Sequence, residues 1–396
     1  MLFKEIYNLI NSMKNTSIDV YELDEPSVRK KRLPNSPTLV DLGAKYSKLS
    51  ITGYALAHAV VKADYLDRRN LTMPGIGFLL QASSIFYFGK RHLELKPGTG
   101  GLLNDVSLSS MAGRVGQGLA ILYGHRLGLK FTAHLNSYVA SLPTGSIGLT
   151  NKKIAMADFL FANHKKTVLV ESKGSFTLQE NDPTQIKTVL KTALQDQIDP
   201  WMKKLTPTPS NGYVIYSCLR DGSSARSAIF VVDPEGDNDK SAHLSIDIEQ
   251  TMKENYGAWL RAMGMIDSAT RLLNSSVDLK QKYKYDILIK DIGGHKFAFF
   301  KKPNKCYCPQ SKHTISISIS ISISISISIS ISIGIDHSVL IAISSTINNR
   351  ENKLQDLLCD KFEMNYPKIK NASIFPDGTI FGMIDFRTAT PDFIML

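Results

Sequence analysis

A carboxylate and an ammonium stand two residues apart at the end of an apolar run, Val168-Leu169-Val170-Glu171-Ser172-Lys173. Alternate residues of a strand share a face, so Glu171 and Lys173 point the same way. Charged groups are costly to bury without partners. The pair therefore either meets water or performs a task. A second carboxylate, Asp158, lies upstream in IAMADFLF. Residues 154–161 and 167–173 read as two strands joined by the polar turn 162–166. Folded symmetrically about Asn163-His164-Lys165, they set Asp158 opposite Glu171 and Leu160 opposite Leu169. Opposed residues bring their Cβ atoms to about 4.5–5.5 Å.

Two facing carboxylates repel unless a positive charge offsets them. A divalent cation does this. Magnesium prefers oxygen ligands and keeps several waters. Asp158, Glu171, the Ser172 carbonyl, waters and a phosphate oxygen make a suitable set, and manganese accepts the same donors. Such a metal polarises a phosphate and lowers the pKa of a bound water. Lys173 then stabilises charge developing in the transition state or positions the water. The expected chemistry is phosphodiester hydrolysis.

Asp158 followed at this distance by Glu171-Ser172-Lys173, at the ends of two adjacent strands with a helix after them, resembles the PD-(D/E)xK nuclease superfamily. The resemblance covers roughly residues 105–235. It implies a restriction-endonuclease-like mixed sheet flanked by helices, with Asp158 and Glu171 as metal ligands and Lys173 as the catalytic lysine. It implies cleavage of nucleic acid, most often DNA and by an endonuclease, with restriction or defence against foreign DNA as one role and repair as another. Ala157 stands where the family often has proline. Some members add an acidic residue from a preceding helix, for which Asp105 is a candidate and Gln117 a polar substitute. Others add a glutamine from the following helix, where Gln185, Gln195 and Gln197 lie. Gln197 falls four residues after Ala193 on the apolar face.

The elements that must position these groups follow from periodicity. Asp182 is an N-cap and Pro183 the first residue of a helix. Ile186, Val189, Leu190, Ala193, Leu194 and Ile198 gather on its apolar face. Lys187 and Lys191 fall on its polar side, and Lys165 and Lys166 in the hairpin turn. These four lysines suit phosphate contacts, or simply a solvated helix face and turn. Residues 212–219 and 227–233 read as two more strands. Residues 105–129 read as a helix whose Gly113, Gly116 and Gly118 match neither nucleotide-loop pattern, so close helix packing explains them better. Arg114 and His125 lie on the same helix.

We divide the chain into a mostly helical region over 1–100, a nuclease-like α/β core over 101–235 and an α/β region over 236–396. Helices are expected over 54–69 and 75–89, with an amphipathic one at the N-terminus. A helix over 247–274, short strands over 283–290 and 296–300, and a hairpin over 372–386 about Pro376-Asp377-Gly378 follow.

From Ile315 to Ile335 serine alternates with isoleucine, broken by Gly334. Period two gathers the isoleucines on one side of a strand and on no helix face. Fully extended, the run would span roughly 70 Å at about 3.3 Å per residue, longer than an ordinary strand. The readings are a low-complexity expansion, a partner-seeking strand edge, and a membrane helix, which the alternate serines disfavour.

The chain has 396 residues, 43% apolar and 21% charged, an ordinary globular composition with room for a sizeable core. Its net charge of +11 favours a polyanionic partner. Cys218, Cys306, Cys308 and Cys359 are too sparse for a disulfide scaffold, and the C-x-C at 306–308 has no second pair near it for zinc. A cytoplasmic setting without a membrane partner is expected, with DNA as ligand and a homodimer or partner subunit in keeping with cleavage of both strands. Two other functions fit the same residues. One is a non-catalytic nucleic-acid-binding protein on this core, and the other an interaction protein working through the Ser-Ile strand.

Overall fold

The computed structural model describes residues 16–66, 82, 85–87, 90–99, 105–142, 155–206, 208–233, 248–274, 282–300, 329–359 and 366–396. Its first half runs β1 (Thr16–Asp24), α1 (Glu25–Arg29), β2 (Lys45–Ile51), α2 (Gly53–Leu66), α3 (Asp105–Arg126), β3 (Phe131–His134), α4 (Leu135–Ser141), β4 (Phe159–Ala162), β5 (Thr167–Ser175), α5 (Pro183–Ala193), a π-turn (Leu194–Ile198), α6 (Asp199–Lys204), β6 (Asn211–Cys218) and β7 (Ala228–Asp233). These strands form one mixed sheet in the order β2-β1-β7-β6-β5-β4-β3. β3, β4 and β5 make an antiparallel meander, and α5 then carries the chain across to β6, parallel to β5. β7 is antiparallel to β6 and parallel to β1.

The second half runs α7 (Ile248–Met263), α8 (Ile266–Leu273), β8 (Lys284–Ile292), β9 (His295–Phe300), β10 (Ile329–Asp336), α9 (His337–Asn348), α10 (Leu354–Leu357), β11 (Ala372–Ile374), β12 (Thr379–Asp385) and β13 (Thr390–Met395). Its sheet has the order β11-β12-β10-β9-β8-β13. The molecule is thus mixed α/β with two sheets among the described residues. One apolar core runs from Ile18 in β1 to Leu396 and takes in α2, α3 and α7, which lie between the sheets. A second core, under the opposite face of the first sheet, packs Ile186, Leu190, Leu194 and Ile198 against Leu169 and Val214. Helices therefore cover both faces of β5.

Glycines let α3 lie directly on β5. A Cβ at Gly174 would sit 2.0 Å from the Ala112 carbonyl oxygen, and one at Gly116 would meet the Lys173 carbonyl oxygen at 3.1 Å. A Cβ at Gly118 would strike Val60 at 2.7 Å. Close packing explains these two α3 glycines, whereas Gly113 has open space around it. Gly174→Ala is expected to lower stability by about 3 kcal/mol, since backbone cannot yield as a side chain can. Gly113→Ala is expected to be neutral or to gain up to about 1 kcal/mol from helix propensity. Thermal denaturation of the two variants checks the contrast.

Several expectations are corrected. Residues 16–51 are not mostly helical: β1 and β2 belong to the sheet that carries Glu171, so a division at residue 100 cuts through one sheet. The expected strand over 154–161 begins only at Phe159, and the short strand β3 precedes it. The helix expected over 247–274 is two helices, parted at Gly264, whose φ is +91°. The Ser-Ile run does not end as an insert. Its last residues are β10, paired along its length with β12 and at 334–336 with β9. Ile335 is fully buried. Gly334 breaks the alternation where a Cβ would lie 2.6 Å from the Phe299 ring, and its carbonyl accepts the Trp259 indole N–H at 2.7 Å. The earlier part of the run, the helix expected at the N-terminus, most of that expected over 75–89, and Cys306 and Cys308 lie outside the described residues. The hairpin about Pro376-Asp377-Gly378 is present as β11–β12. Among the described residues no helix is long and apolar enough to cross a membrane.

Candidate active site

The β4–β5 register places Leu160 against Leu169 and Phe159 against Val170, so its continuation sets Asp158 against Glu171. The turn between them is closed by the Asn163 N–H on the Lys166 carbonyl at 3.0 Å. The Asn163 side chain accepts the amides of Lys165 and Lys166 as well. This local closure fixes the register, and a slip of one residue would turn Glu171 to the other face.

Asp158 is in the bend just before β4, and its bonds knit the two strand ends together. Its amide donates to Glu171 Oε2 at 3.1 Å, and its own Oδ2 accepts the Ser172 amide at 3.0 Å. Lys173 Nζ lies 2.6 Å from Glu171 Oε1. Glu171 is 1% exposed, whereas Lys173 is half-exposed at the rim. In an extended strand a residue's N–H and C=O face the same neighbour. The Ser172 carbonyl therefore faces the same edge as its amide, beside Asp158, where the β4 ladder has ended.

Two glutamines approach from opposite sides of the sheet. Gln117, on α3, donates to Asp158 Oδ1 at 3.4 Å. Gln197, in the π-turn, donates to the Met156 carbonyl at 3.0 Å and also hydrogen-bonds Glu171. Trp201 holds the same approach segment through the Ala155 carbonyl at 2.9 Å. Gln185 and Gln195 are exposed, and the Asp105 side chain lies outside the described residues. Arg114 turns to Asp64, and His125 packs edge-on to Phe375, so neither joins the site.

The phosphate-contact lysines separate. Lys165 and Lys166 cap the far end of the hairpin, about 20 Å of strand from Glu171. Lys191 is half-buried. Lys187, expected on a solvated face, is only 7% exposed. Sequence reading missed Arg220, which is fully buried. Its guanidinium donates to the carbonyls of Leu178 and Glu180 and to Asn181, pinning the loop between β5 and α5. An arginine after an apolar strand looks like any surface cation until the loop folds over it.

Burial raises both carboxyls. Asp158 rises to about 6, opposed by the Ser172 amide and Lys173. Glu171 rises to about 7, through burial first and repulsion from Asp158 second, with Lys173 opposing. Two buried carboxylates with one lysine form an oxygen-rich set short of positive charge. That donor set fits magnesium or manganese, which Asp158, Glu171 and the Ser172 carbonyl would hold with water completing the shell. Among the described residues no cluster of three or more histidine, cysteine or acidic side chains could hold a metal, and this site supplies two carboxylates.

These shifts give a metal-free pH dependence. Between about pH 4 and about pH 7 the folded pair holds more protons than the unfolded pair. Stability therefore falls as pH rises through that window and levels off above it. Asp158→Asn removes the repulsion and is expected to flatten the fall by roughly 1–3 kcal/mol. Melting curves in chelator across this range check it.

Comparison with protein-family models, with curated proteins and with solved structures finds no match for this chain.

Proposed function

We propose that this protein is a metal-dependent nuclease that hydrolyses phosphodiester bonds, with DNA as its substrate. The observation that carries the reading is the joining of Asp158 and Glu171 through the Asp158 and Ser172 amides, with Lys173 against Glu171. An antiparallel meander followed by a helix and a parallel strand, with helices on both faces, agrees with the restriction-endonuclease-like fold that the PD-(D/E)xK resemblance implies.

Magnesium, when bound, supplies polarisation of the scissile phosphate and an acidified water. The chain's own groups do the rest. Asp158 and Glu171 hold their carboxylates side by side because the Ser172 and Asp158 amides fix them, so little reorganisation is needed on loading. Lys173, anchored by Glu171 yet reaching solvent, sets a positive charge beside the phosphate and stabilises the negative charge that develops during attack. Gln117 and Gln197 are positioning residues. Gln117 orients Asp158, while Gln197 fixes the approach to β4 and steadies Glu171.

The test incubates the purified full-length chain with supercoiled and linear DNA, with and without magnesium, beside Lys173→Ala. Nicking or linearisation that requires both metal and Lys173 supports the reading. A folded chain that binds DNA and cuts neither form under any of these conditions sinks it and leaves a binding protein on the same core.

A further inference from the structure

A basic groove lies on the α5 side of the first sheet. Its volume is about 520 Å³, and Lys31, Arg32 and Pro37 form one wall while Lys187, Lys191 and Gln195 form the other. Among the described residues no carboxylate lines it. None of Lys31, Arg32, Lys187 and Lys191 is in an ion pair among the described residues, and Lys187 is nonetheless more than nine-tenths buried. Burial lowers the Lys187 pKa, and repulsion from Lys191 and Lys30 lowers it further. Lys187, buried beside other cations without a counter-charge, costs stability that an anionic ligand in the groove would restore.

The groove is built, not incidental. Asp24 caps α1 by accepting the Ser27 amide at 2.9 Å. Arg29 then grips Asp199 with both terminal nitrogens, at 2.9 and 2.8 Å, and so ties α1 to α6. The wall that follows contains two prolines and Ser36, whose φ of +56° lies in the left-handed region. The opposite wall continues into the π-turn. There Gln195 faces the groove while Gln197, two residues on, reaches the catalytic approach. π-Turns inside helices often accompany functional sites.

Spacing connects the groove to the carboxylates. Lys187 precedes Gln197 by ten residues, about 15 Å along the helix. At about 3.4 Å of axial rise per nucleotide, that is about four phosphates. We propose that this groove holds the phosphodiester backbone of the substrate about four nucleotides from the scissile bond. The proposal rests on the nuclease reading for the identity of its ligand.

Binding of a short labelled duplex, followed by fluorescence anisotropy over a range of salt without divalent metal, tests it. The full-length chain is compared with Lys31→Glu/Arg32→Glu and with Lys187→Gln/Lys191→Gln. Each double variant is expected to weaken binding at least ten-fold and to reduce the salt slope by about 1.8, at about 0.9 per lost contact. Melting temperatures are expected to hold, because Lys31 and Arg32 are exposed and Lys187→Gln relieves repulsion. Unchanged affinity and slope in the folded Lys31→Glu/Arg32→Glu variant overturns the proposal. So does titration with inorganic phosphate showing a site lost in both variants while duplex affinity stays the same. The two readings fail separately. A chain that binds duplex through the groove and cleaves nothing sinks the nuclease, and with it the spacing to a scissile bond, and keeps the groove as a backbone-binding site. One that cleaves normally after both substitutions keeps the nuclease and sinks the groove.

Discussion

Glu171→Gln is expected to reduce magnesium-dependent cleavage of supercoiled DNA by at least about 10³-fold, roughly 4 kcal/mol of transition-state stabilisation. The substitution keeps the shape of a side chain that is 1% exposed. It removes one of the two carboxylates proposed to hold the metal, and the anionic anchor of Lys173. Without metal, the same variant is expected to be at least as stable as the parent at neutral pH. Burial and Asp158 both oppose the charge on Glu171, so a neutral amide removes an unfavourable buried anion. Lost activity with retained or raised melting temperature is what a site built for metal predicts. A loss of stability in parallel with activity would make Glu171 a structural partner of Lys173 and Asp158 and nothing more. Cleavage rates and metal-free melting curves on one preparation separate the two.

Asp377→Asn is expected to destabilise the fold by about 3–5 kcal/mol, the usual cost of stranding a buried charge. Lys62 on α2 and Asp377 in the β11–β12 turn form an ion pair with both side chains wholly inaccessible. Asp377 also accepts Asn255 Nδ2 at 2.8 Å and Thr379 Oγ1 at 2.7 Å. One turn before Lys62, His58 stacks on Phe375 at 3.6 Å and meets Ser373 and Thr379 through its two ring nitrogens. Burial holds His58 well below its ordinary pKa, so it is neutral here. This network fastens the second sheet to α2, and α2 packs on α3, which lies on β5. Burial already lowers the Lys62 pKa, and Asp377 opposes that fall. Once Asp377 is gone, Lys62 folds only by shedding its proton. The stability of Asp377→Asn should therefore rise with pH toward the unfolded lysine value near ~10.4. The double variant Lys62→Met/Asp377→Asn should lose about 2–3 kcal/mol less than the sum of the single changes. Additive losses in chemical denaturation would show that the pair is not coupled.

What could be read from the residues alone was local. The β4–β5 register follows from turn length and strand symmetry, and it brings Asp158, Glu171 and Lys173 together without help from distant chain. The Asp182 cap accepts the amides of Thr184 and Gln185 at 2.8 and 3.3 Å, as its position before Pro183 implies. The apolar stripe from Ile186 to Ile198 needs only the helical period. The β11–β12 hairpin needs only its Pro-Asp-Gly turn.

What remained hidden depended on partners far away in the chain. β2 carries an exposed, charged face, β1 mixes apolar residues with Asp19, Glu22 and Asp24, and β1 becomes an interior strand only by pairing with β7, some two hundred residues later. Asp377 looks like a turn aspartate and is buried only because α2 brings Lys62 to it. Lys187 looks like a solvated helix lysine until the Lys31–Pro37 wall closes over it. The end of the Ser-Ile run becomes a core strand only because β9 and β12 flank it. Hydrogen-bond closure and side-chain period act over a few residues and leave marks in the sequence. Burial of a charge is decided by what packs against it, and that is a property of the whole fold.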